Sequence, residues 1–239
     1  MSKLNSLYVS LLALVVALVA LGLGIHNTSQ EQPGIEEALN NKPEMIINAM
    51  QKYEENMRQQ AMAEAQKAIE DNIEAVNNDP NSPFVGNPDA VVTLVEFFDF
   101  SCGYCHRLYP GLKKVIADNP DIKVVFKPLA FVAPVSEYAA RAALAANEQG
   151  KYIEFHNALF ESDAPLTEAK IDEIAVKNGL DLEKLKADMN SSKIEGAMRD
   201  VNDLAGKVQI NGVPALILNG KMLQTIDGQV VQDEINKIK

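Results

Sequence analysis

The stretch that decides the fold is Ala90-Val91-Val92-Thr93-Leu94-Val95-Glu96-Phe97-Phe98-Asp99-Phe100-Ser101-Cys102-Gly103-Tyr104-Cys105-His106. Its first half is a nearly unbroken run of β-branched and aromatic residues, which predicts a buried strand over residues 90–98. Apolar residues then recur at helical spacing and predict an amphipathic helix over residues 103–118, with its apolar face at Leu108, Leu112, Val115 and Ile116. The Cys-x-x-Cys motif therefore stands at a predicted junction of strand and helix.

Cys102 and Cys105 are the only cysteines of the 239 residues, so the pair is free for chemistry rather than part of a disulfide framework. At a helix N-terminus the positive end of the helix dipole favours the thiolate of Cys102, the expected nucleophile. Cys105 is expected to be buried and to resolve the mixed disulfide that Cys102 forms. Gly103 and Tyr104, between the cysteines, are expected to control access to the sulfur.

Half of a zinc site is the alternative interpretation of a Cys-x-x-Cys pair, and a closed zinc site needs four ligands. The histidines are His26, His106 and His156, of which His26 borders an apolar segment and His106 adjoins Cys105. We therefore expect no metal and no cofactor beyond the redox-active pair itself. His106 is a candidate for stabilising the thiolate, whereas His156 is expected to be structural.

Two features outside the motif fit a redox site. Glu96 lies in an otherwise apolar strand. If the side chain is buried, its pKa is raised and it can exchange a proton with Cys105. The alternative is a carboxylate at the end of the strand that faces water. Val213-Pro214 directly precedes a predicted strand at 215–218. Its peptide bond is either an ordinary trans bond or a cis bond beside Cys102, where the Val213 backbone would receive an extended substrate peptide.

The N-terminal residues predict the compartment. Residues 7–25 carry no charge and would span about 28 Å as a helix at ~1.5 Å per residue. Segment 1–25 is thus predicted to be a signal peptide or a membrane anchor, and the lack of a clean small-residue cleavage site favours the anchor. Both place the remainder in a periplasmic or other extracytoplasmic compartment, where disulfides persist. The net charge of −11 argues against a nucleic-acid partner.

Residues 26–83 are predicted to form a linker followed by a long helical stalk at 44–76, without Gly or Pro inside it. The stalk carries an apolar stripe that needs a cover: Ile46, Met50, Tyr53, Met57, Ala61, Ala65, Ile69, Ile73 and Val76. Self-association into a homo-oligomer is the favoured interpretation. The alternatives are packing on the chain's own catalytic domain and a plain spacer. Residues 77–83 break the helix and place the domain boundary before residue 84.

The rest of the chain predicts an α/β layered fold. A strand at 122–128 follows the first helix, a helical block spans 134–207, and Asn219-Gly220 predicts a two-residue hairpin turn after the strand at 215–218. A final amphipathic helix covers 230–238. Lys127 carries a positive charge before Pro128, and the sequence leaves its direction open.

Taken together, residues 95–105, Gly212-Val213-Pro214-Ala215 and Leu218-Asn219-Gly220 resemble the DsbA-like thioredoxin-fold proteins. The resemblance covers about 84–239. It implies a thioredoxin fold with a helical insertion at about 129–207, Cys102 as nucleophile and Cys105 as resolving thiol. It also implies that Pro214 is the cis-proline and Glu96 the buried acid of a proton relay.

The chain departs from the strongly oxidising DsbA pattern in two ways. Gly103-Tyr104 is similar to the dipeptide of DsbC-type isomerases rather than Pro-His, although Val213 is DsbA-like. The long N-terminal helix resembles the oligomeric ScsC-type proteins, which have isomerase activity. The resemblance implies an oligomeric isomerase or reductase of exported cysteine-containing proteins, with a DsbB- or DsbD-like membrane redox partner. A DsbA-like dithiol oxidase and a non-catalytic oligomeric envelope protein are the alternatives.

Overall fold

The computed structural model describes residues 40–239. The predicted signal peptide or anchor at 1–25 and most of the predicted linker lie outside the described residues. Within residues 40–239, none of the helices combines the length and the apolar character that a membrane span requires.

The described chain divides into two units, with the boundary between Gln59 and Gln60. Helix α1 (Glu44–Asp71) carries residues of both units. In the first unit, the helix has large apolar side chains that are exposed: Met45, Ile46, Ile47, Met50, Tyr53 and Met57. The first part of the predicted stripe is therefore exposed in the described chain.

The second unit is built on a five-stranded mixed sheet in the order β1-β3-β2-β4-β5. The strands are β1 (Phe84–Gly86), β2 (Thr93–Phe98), β3 (Lys123–Pro128), β4 (Ala215–Leu218) and β5 (Lys221–Leu223). Strand β2 pairs in parallel with β3, and the other three pairings are antiparallel. Both β2 and β3 are buried along their full length, which is why β2 has a continuous rather than an alternating apolar pattern.

Helices cover both faces of this sheet. They are α2 (Ile73–Asn78), α3 (Gly103–Asp118), α4 (Ser136–Asn147), α5 (Tyr152–Phe160), α6 (Glu168–Lys177), α7 (Leu182–Met189), α8 (Ser192–Lys207) and α9 (Gly228–Ile238). The predicted helical insertion corresponds to α4–α8, which lie between β3 and β4 in the chain. The hairpin is also present, with Asn219 at φ 46° and Gly220 at φ 78°, as a two-residue turn with two positive φ angles requires.

Successive side chains of β2 enter two separate hydrophobic cores. Leu94 and Phe98 belong to the larger core, with α3 and most of the helical insertion. Val95 and Phe97 point to the opposite face and join the second core. Glu96 has the strand parity of Leu94 and Phe98, so it lies on the α3 side of the sheet.

The structure corrects the predicted boundary before residue 84 and the predicted continuous helix over 44–76. The helix ends at Asp71, and α2 begins at Ile73. Ile69 and Val76 are fully buried in the second core beside Val95 and Phe97. The C-terminal part of the predicted stalk thus belongs to the domain built on the sheet and is covered by the same chain, not by a second copy.

A buried ion pair also ties the predicted boundary segment to the sheet. Lys127 has no exposed surface, and its Nζ lies 3.3 Å from Asp79 Oδ2 and 2.9 Å from Ser82 Oγ. Lys127 has the strand parity of Val125, which belongs to the second core. Its charge is therefore directed away from the α3 side of the sheet, where the cysteines lie.

Candidate functional site

Cys102 is the N-cap residue of α3, in extended conformation at φ −80° and ψ 118°. Its carbonyl accepts the first helical hydrogen bond, from the His106 N–H at 3.0 Å, and its own N–H donates to the Asp99 carbonyl at 3.0 Å. The side chain therefore lies at the N-terminus of α3, the positive end of the helix dipole, as predicted.

Cys105 lies one turn into α3 and has no exposed surface. Both cysteines are free thiols in the structure. Burial raises the pKa of the Cys105 thiol far above its ordinary value, and a hydrogen bond with Cys102 raises it further. Cys105 therefore stays protonated until a neighbouring base removes its proton.

Val213-Pro214 comes to the same place from the other end of the domain. The peptide bond between them is cis, one of the two predicted alternatives. The Cys102 Sγ donates to the Val213 carbonyl across 3.4 Å. The backbone immediately before β4 therefore lies against the reactive sulfur, where an extended peptide could pair with it.

Asp99 is a residue of this site that sequence reasoning missed. Its side chain is fully buried and accepts four hydrogen bonds, from Ser101 N, Ser136 Oγ, Phe131 N and Val132 N, at 2.7 to 3.0 Å. The carboxylate thereby fastens the loop that carries Cys102 to the loop after β3. The available signal was an aspartate directly after an apolar strand and two residues before a serine, a common turn pattern.

The residues between and after the cysteines differ in exposure. Gly103 and Tyr104 are exposed, Tyr104 to 56%, so they form the surface around the sulfur. His106 is half-buried, and its Nε2 lies 2.8 Å from the Phe100 carbonyl. This contact supports the loop that holds Cys102; a role of His106 toward the thiolate stays a prediction.

Glu96 lies at the middle of β2, with Phe126 of β3 and Leu216 of β4 as its lateral neighbours. It is 1% exposed, so the alternative of a strand-end carboxylate facing water is wrong. Burial raises the pKa of Glu96 to about 8. The pKa of Cys105 is raised mainly by burial, next by the contact with Cys102, and to a smaller extent by the charge of Glu96. Glu96 and Cys105 therefore lie within electrostatic reach of each other.

His156 is 2% exposed and packs among aromatic rings, which include Phe98, Phe100 and Phe126 at centroid distances of 4.8 to 5.6 Å. Burial lowers the pKa of His156 to about 4, so the ring is neutral at physiological pH. Tyr152, one turn earlier on α5, is also buried and was not singled out from the sequence.

A cleft of about 420 Å³ opens beside the cysteine loop, lined by Ser101, His106 and residues 162–166 among others. A second cleft of about 410 Å³ lies next to Pro214 and β5. The two clefts thus flank the segments that carry Cys102 and Pro214. The arrangement as a whole brings together a thiol at a helix N-terminus, a buried thiol, a buried carboxyl and the backbone before β4, a combination that suits thiol–disulfide exchange.

Comparison with solved structures finds the same domain elsewhere. The chain is similar to a thioredoxin-like oxidoreductase from Silicibacter pomeroyi, with 34% identity, a TM-score of 0.65, and coverage of 69% of this chain and 96% of that one. It is also similar to the catalytic domain of Proteus mirabilis ScsC, with 26% identity, a TM-score of 0.65, and coverage of 72% and 97%.

Among curated proteins, the chain is similar to Na(+)/H(+) antiporter NhaA 3 of Salinispora tropica, with 32% identity over 146 residues. The similar region covers 60% of this chain and 22% of the antiporter, so the chain spans about a fifth of the length of that relative. Residues 93–237 match the family model of the DSBA-like thioredoxin domain, from β2 into α9 and across both cysteines, Glu96 and Pro214. The chain therefore belongs to the family of DSBA-like thioredoxin domains.

Proposed function

We propose that this protein is a thiol–disulfide oxidoreductase that acts on disulfides of exported proteins. The observation that carries the proposal is the placement of Cys102 at the N-terminus of α3, 3.4 Å from the Val213 carbonyl, with the fully buried Cys105 one turn below. Membership of the DSBA-like family supports it. A vestigial dithiol would not need this combination of a thiol at a helix N-terminus, a second thiol one turn on and a buried acid.

The chemistry proceeds in two exchanges. The Cys102 thiolate attacks one sulfur of a substrate disulfide, the substrate S–S bond breaks, and the other substrate sulfur leaves as a thiolate that takes up a proton. Cys105 then loses its proton and attacks the Cys102 sulfur, which forms the Cys102–Cys105 disulfide and releases the first substrate sulfur. Two electrons pass from the pair to the substrate, and the reverse sequence oxidises a substrate dithiol.

Glu96 takes the proton of Cys105 in the second exchange and returns it in the reverse direction. A group whose pKa lies near the working pH exchanges protons in both directions, and burial brings Glu96 to about 8. Both residues lie on the α3 side of the sheet. Without such a base, ionising Cys105 is costly because burial raises the pKa of its thiol.

The substrate peptide binds in extended form along Val213 and beside Gly103-Tyr104. In the free protein the Val213 carbonyl accepts a hydrogen bond from Cys102. A substrate backbone that pairs with Val213 therefore brings its disulfide to the same sulfur. Tyr104, Phe131 and Val132 are exposed apolar side chains, and Asp99 holds the last two near the cysteine loop. An apolar rim of this kind suits unfolded or misfolded chains.

The direction we favour is isomerase or reductase action by an oligomer. The support is the Gly103-Tyr104 dipeptide and the exposed apolar side chains of α1 in the first unit, from Met45 to Met57. Because Ile69 and Val76 are already covered by the same chain, the self-associating segment is limited to the part of α1 before Gln60. A DsbA-like oxidase remains the second candidate, since a change of about 30 mV in the reduction potential shifts the thiol–disulfide equilibrium tenfold.

The site of action we propose is extracytoplasmic, delivered or anchored by residues 1–25, with a DsbB- or DsbD-like membrane protein that resets the pair. The support is the uncharged run at 7–25 and the use of cysteine for a single reactive pair. A reductive partner would keep Cys102 reduced for isomerisation, and an oxidative partner would sustain oxidation.

The test of the activity is insulin reduction by the full chain against Cys102→Ser. We expect the variant to lose the catalysed rate, with Ser191→Ala, a distant helix cap, as the matched control that retains it. Equal rates for Cys102→Ser and the wild type would leave the non-catalytic envelope protein as the better hypothesis.

The test of direction is the recovery of scrambled ribonuclease by fragment 26–239 and by fragment 60–239, which retains the second compact unit. Recovery with the longer fragment alone indicates an isomerase assembled by α1. Fast oxidation of reduced ribonuclease by both fragments, without recovery of the scrambled enzyme, indicates an oxidase.

A further inference from the structure

Three buried polar atoms without a hydrogen-bond partner in the described residues lie in one region: Glu96 Oε2, Tyr152 OH and His156 Nε2. The three residues are only 1%, 5% and 2% exposed. An unpaired buried polar atom costs about 1–3 kcal/mol, so most such atoms in folded proteins are paired with protein or ordered water. Two of them lie near the unpaired oxygen of Glu96, so one ordered water could serve all three.

Phe126 connects the three residues geometrically. It is the neighbour of Glu96 in the parallel ladder between β2 and β3, and it shares the larger core with Tyr152. Its ring centroid lies 5.3 Å from that of Tyr152 and 4.8 Å from that of His156. The rings of Tyr152 and His156 are themselves 5.6 Å apart. Helix α5 therefore brings both side chains over the face of the sheet that carries Glu96.

The electrostatics agree with this placement. Burial raises the pKa of Tyr152, and the negative charge of Glu96 raises it further. The same charge acts on Cys105. Glu96 thus lies within electrostatic reach of the resolving thiol on α3 and of the phenol on α5.

His156 leads from this region toward the surface. Its Nδ1 lies 3.3 Å from Asn157 Oδ1, and a neutral ring that donates from Nδ1 keeps Nε2 as an acceptor. His156 and Asn157 also line a cavity of about 40 Å³ between α3 and α5, together with Tyr109 and Lys113. A cavity of about 10–15 Å³ is sufficient for one water molecule.

We propose that Tyr152 and His156 are positioning residues of the dithiol chemistry, which join Glu96 through bridging water to the cavity between α3 and α5 and so carry the Cys105 proton to solvent. The inference rests on the proposed function of Cys102, Cys105 and Glu96. The bridging water accepts from the Tyr152 hydroxyl and donates one hydrogen to His156 Nε2 and the other to Glu96 Oε2, which gives all three unpaired atoms a partner.

The proton of Cys105 reaches solvent in two transfers. The Cys105 S–H bond breaks and the proton goes to the Glu96 carboxylate, while the Cys105 sulfur attacks Cys102. Glu96 then passes a proton along the Tyr152–water–His156 cluster to solvent at the cavity and is again ionised. In the opposite direction the same path supplies the proton that Cys105 takes up when the pair is reduced.

The titratable groups on this face are few. Cys102 and Cys105 approach Glu96 from α3, and Tyr152 and His156 approach from α5. On β3, Lys123 and Lys127 have the opposite strand parity; they pair with Asn78 and Asp79 on the other side of the sheet. A pH profile of the Cys105 step therefore reports chiefly on Glu96 and its neighbours from α3 and α5.

The experiment follows the reaction of the reduced full chain with 5,5′-dithiobis(2-nitrobenzoate) by stopped flow, from pH 5 to 9. The first thionitrobenzoate released reports attack by Cys102, and the second reports attack by Cys105 on the mixed disulfide. We expect Tyr152→Phe and His156→Gln to slow the second release about tenfold and to move the midpoint of its pH profile, with the first release unchanged. Tyr138→Phe, whose hydroxyl bonds Asp172 at 2.7 Å in α6, is the matched control that keeps both phases.

Wild-type rates and midpoints in both Tyr152→Phe and His156→Gln would overturn the inference. If Glu96→Gln is still slowed in that case, the proposed role of Glu96 stands. Activity of Cys102→Ser in insulin reduction would instead remove the proposed function itself. A measurement on the wild type alone tests the inference without any risk of misfolded variants. The rate of the second release, measured in mixtures of H₂O and D₂O, should follow a curve when it is plotted against the deuterium fraction. A linear plot would contradict a chain of several protons.

Discussion

Replacing Glu96 by glutamine should change how the stability of this protein depends on pH. Burial raises the pKa of Glu96 to about 8, from 4.5 for an exposed carboxyl. Between these two values the unfolded chain carries an ionised carboxylate while the folded protein holds a proton. The folded state binds more protons, so the free energy of unfolding falls as pH rises.

The size of the effect follows from the same two values. At about 1.4 kcal/mol per unit of pH, the interval from 4.5 to about 8 corresponds to about 5 kcal/mol lost by the wild type. Glutamine has nearly the shape of the protonated acid and does not ionise. The Glu96→Gln variant should therefore gain on the wild type steadily from pH 5 to pH 8, and the gain should level off above pH 8.

The assay is urea unfolding of the reduced protein, followed by circular dichroism at each pH. Glu154→Gln, at an exposed position of α5, is the control, and its difference from the wild type should stay flat. Parallel curves for Glu96→Gln and the wild type would refute the reasoning, because they would mean that Glu96 has the same affinity for a proton in the folded and unfolded chains.

Three further predictions concern packing. Ile69→Ala should destabilise the protein by about 2–5 kcal/mol in urea unfolding because Ile69 is fully buried in the second core. Ile46→Ala, at a side chain that is 47% exposed, should cost less than about 0.5 kcal/mol. Equal effects would contradict the assignment of the C-terminal part of α1 to the domain built on the sheet. Gly111→Ala should lower the thermal midpoint because its Cβ would lie 2.9 Å from the Gly228 backbone. Gly196→Ala in α8, whose Cβ would make only an ordinary contact with the Arg199 side chain at 4.0 Å, should raise it slightly. A rise in both would show that α3 and α9 can separate freely. Lys127→Met should lower the free energy of unfolding by about 3–5 kcal/mol because it leaves Asp79 without its buried partner. Adding Asp79→Asn should restore much of that stability in a double-mutant cycle. Additive losses would mean that the pair does not interact.

Local patterns were sufficient for the elements that carry the cysteines. The apolar run before Asp99, the helical spacing after Cys105 and the Asn219-Gly220 turn each depend on neighbours a few residues away, and the structure contains all three elements. The bounds shifted where pairing ends: β2 starts at Thr93 rather than residue 90, and β1 was not predicted because three residues carry too weak a pattern.

Long-range contacts decided what the patterns left open. The stripe on α1 has one period throughout, yet Ile69 is buried against the domain's own sheet while Ile46 is exposed, and nothing in the local sequence separates the two. Lys127 could have faced either side until its pairing with Asp79 was known. Tyr152 and His156 escaped notice as a group with Glu96 because α5 and β2 are joined only by the packing of the larger core.

The amino-acid sequence by itself determined that a strand delivers Cys102 to the start of a helix, with Cys105 one turn on, since both elements follow from the side-chain periodicity of a short segment. Only the tertiary structure decided which groups surround that pair: the Val213 carbonyl against the sulfur, the buried carboxylate of Asp99 under the loop, and Glu96 with a pKa near 8. The physical reason is that burial and proton affinity depend on surfaces brought together from separate parts of the chain, 111 residues apart for Cys102 and Val213, and no local periodicity encodes them.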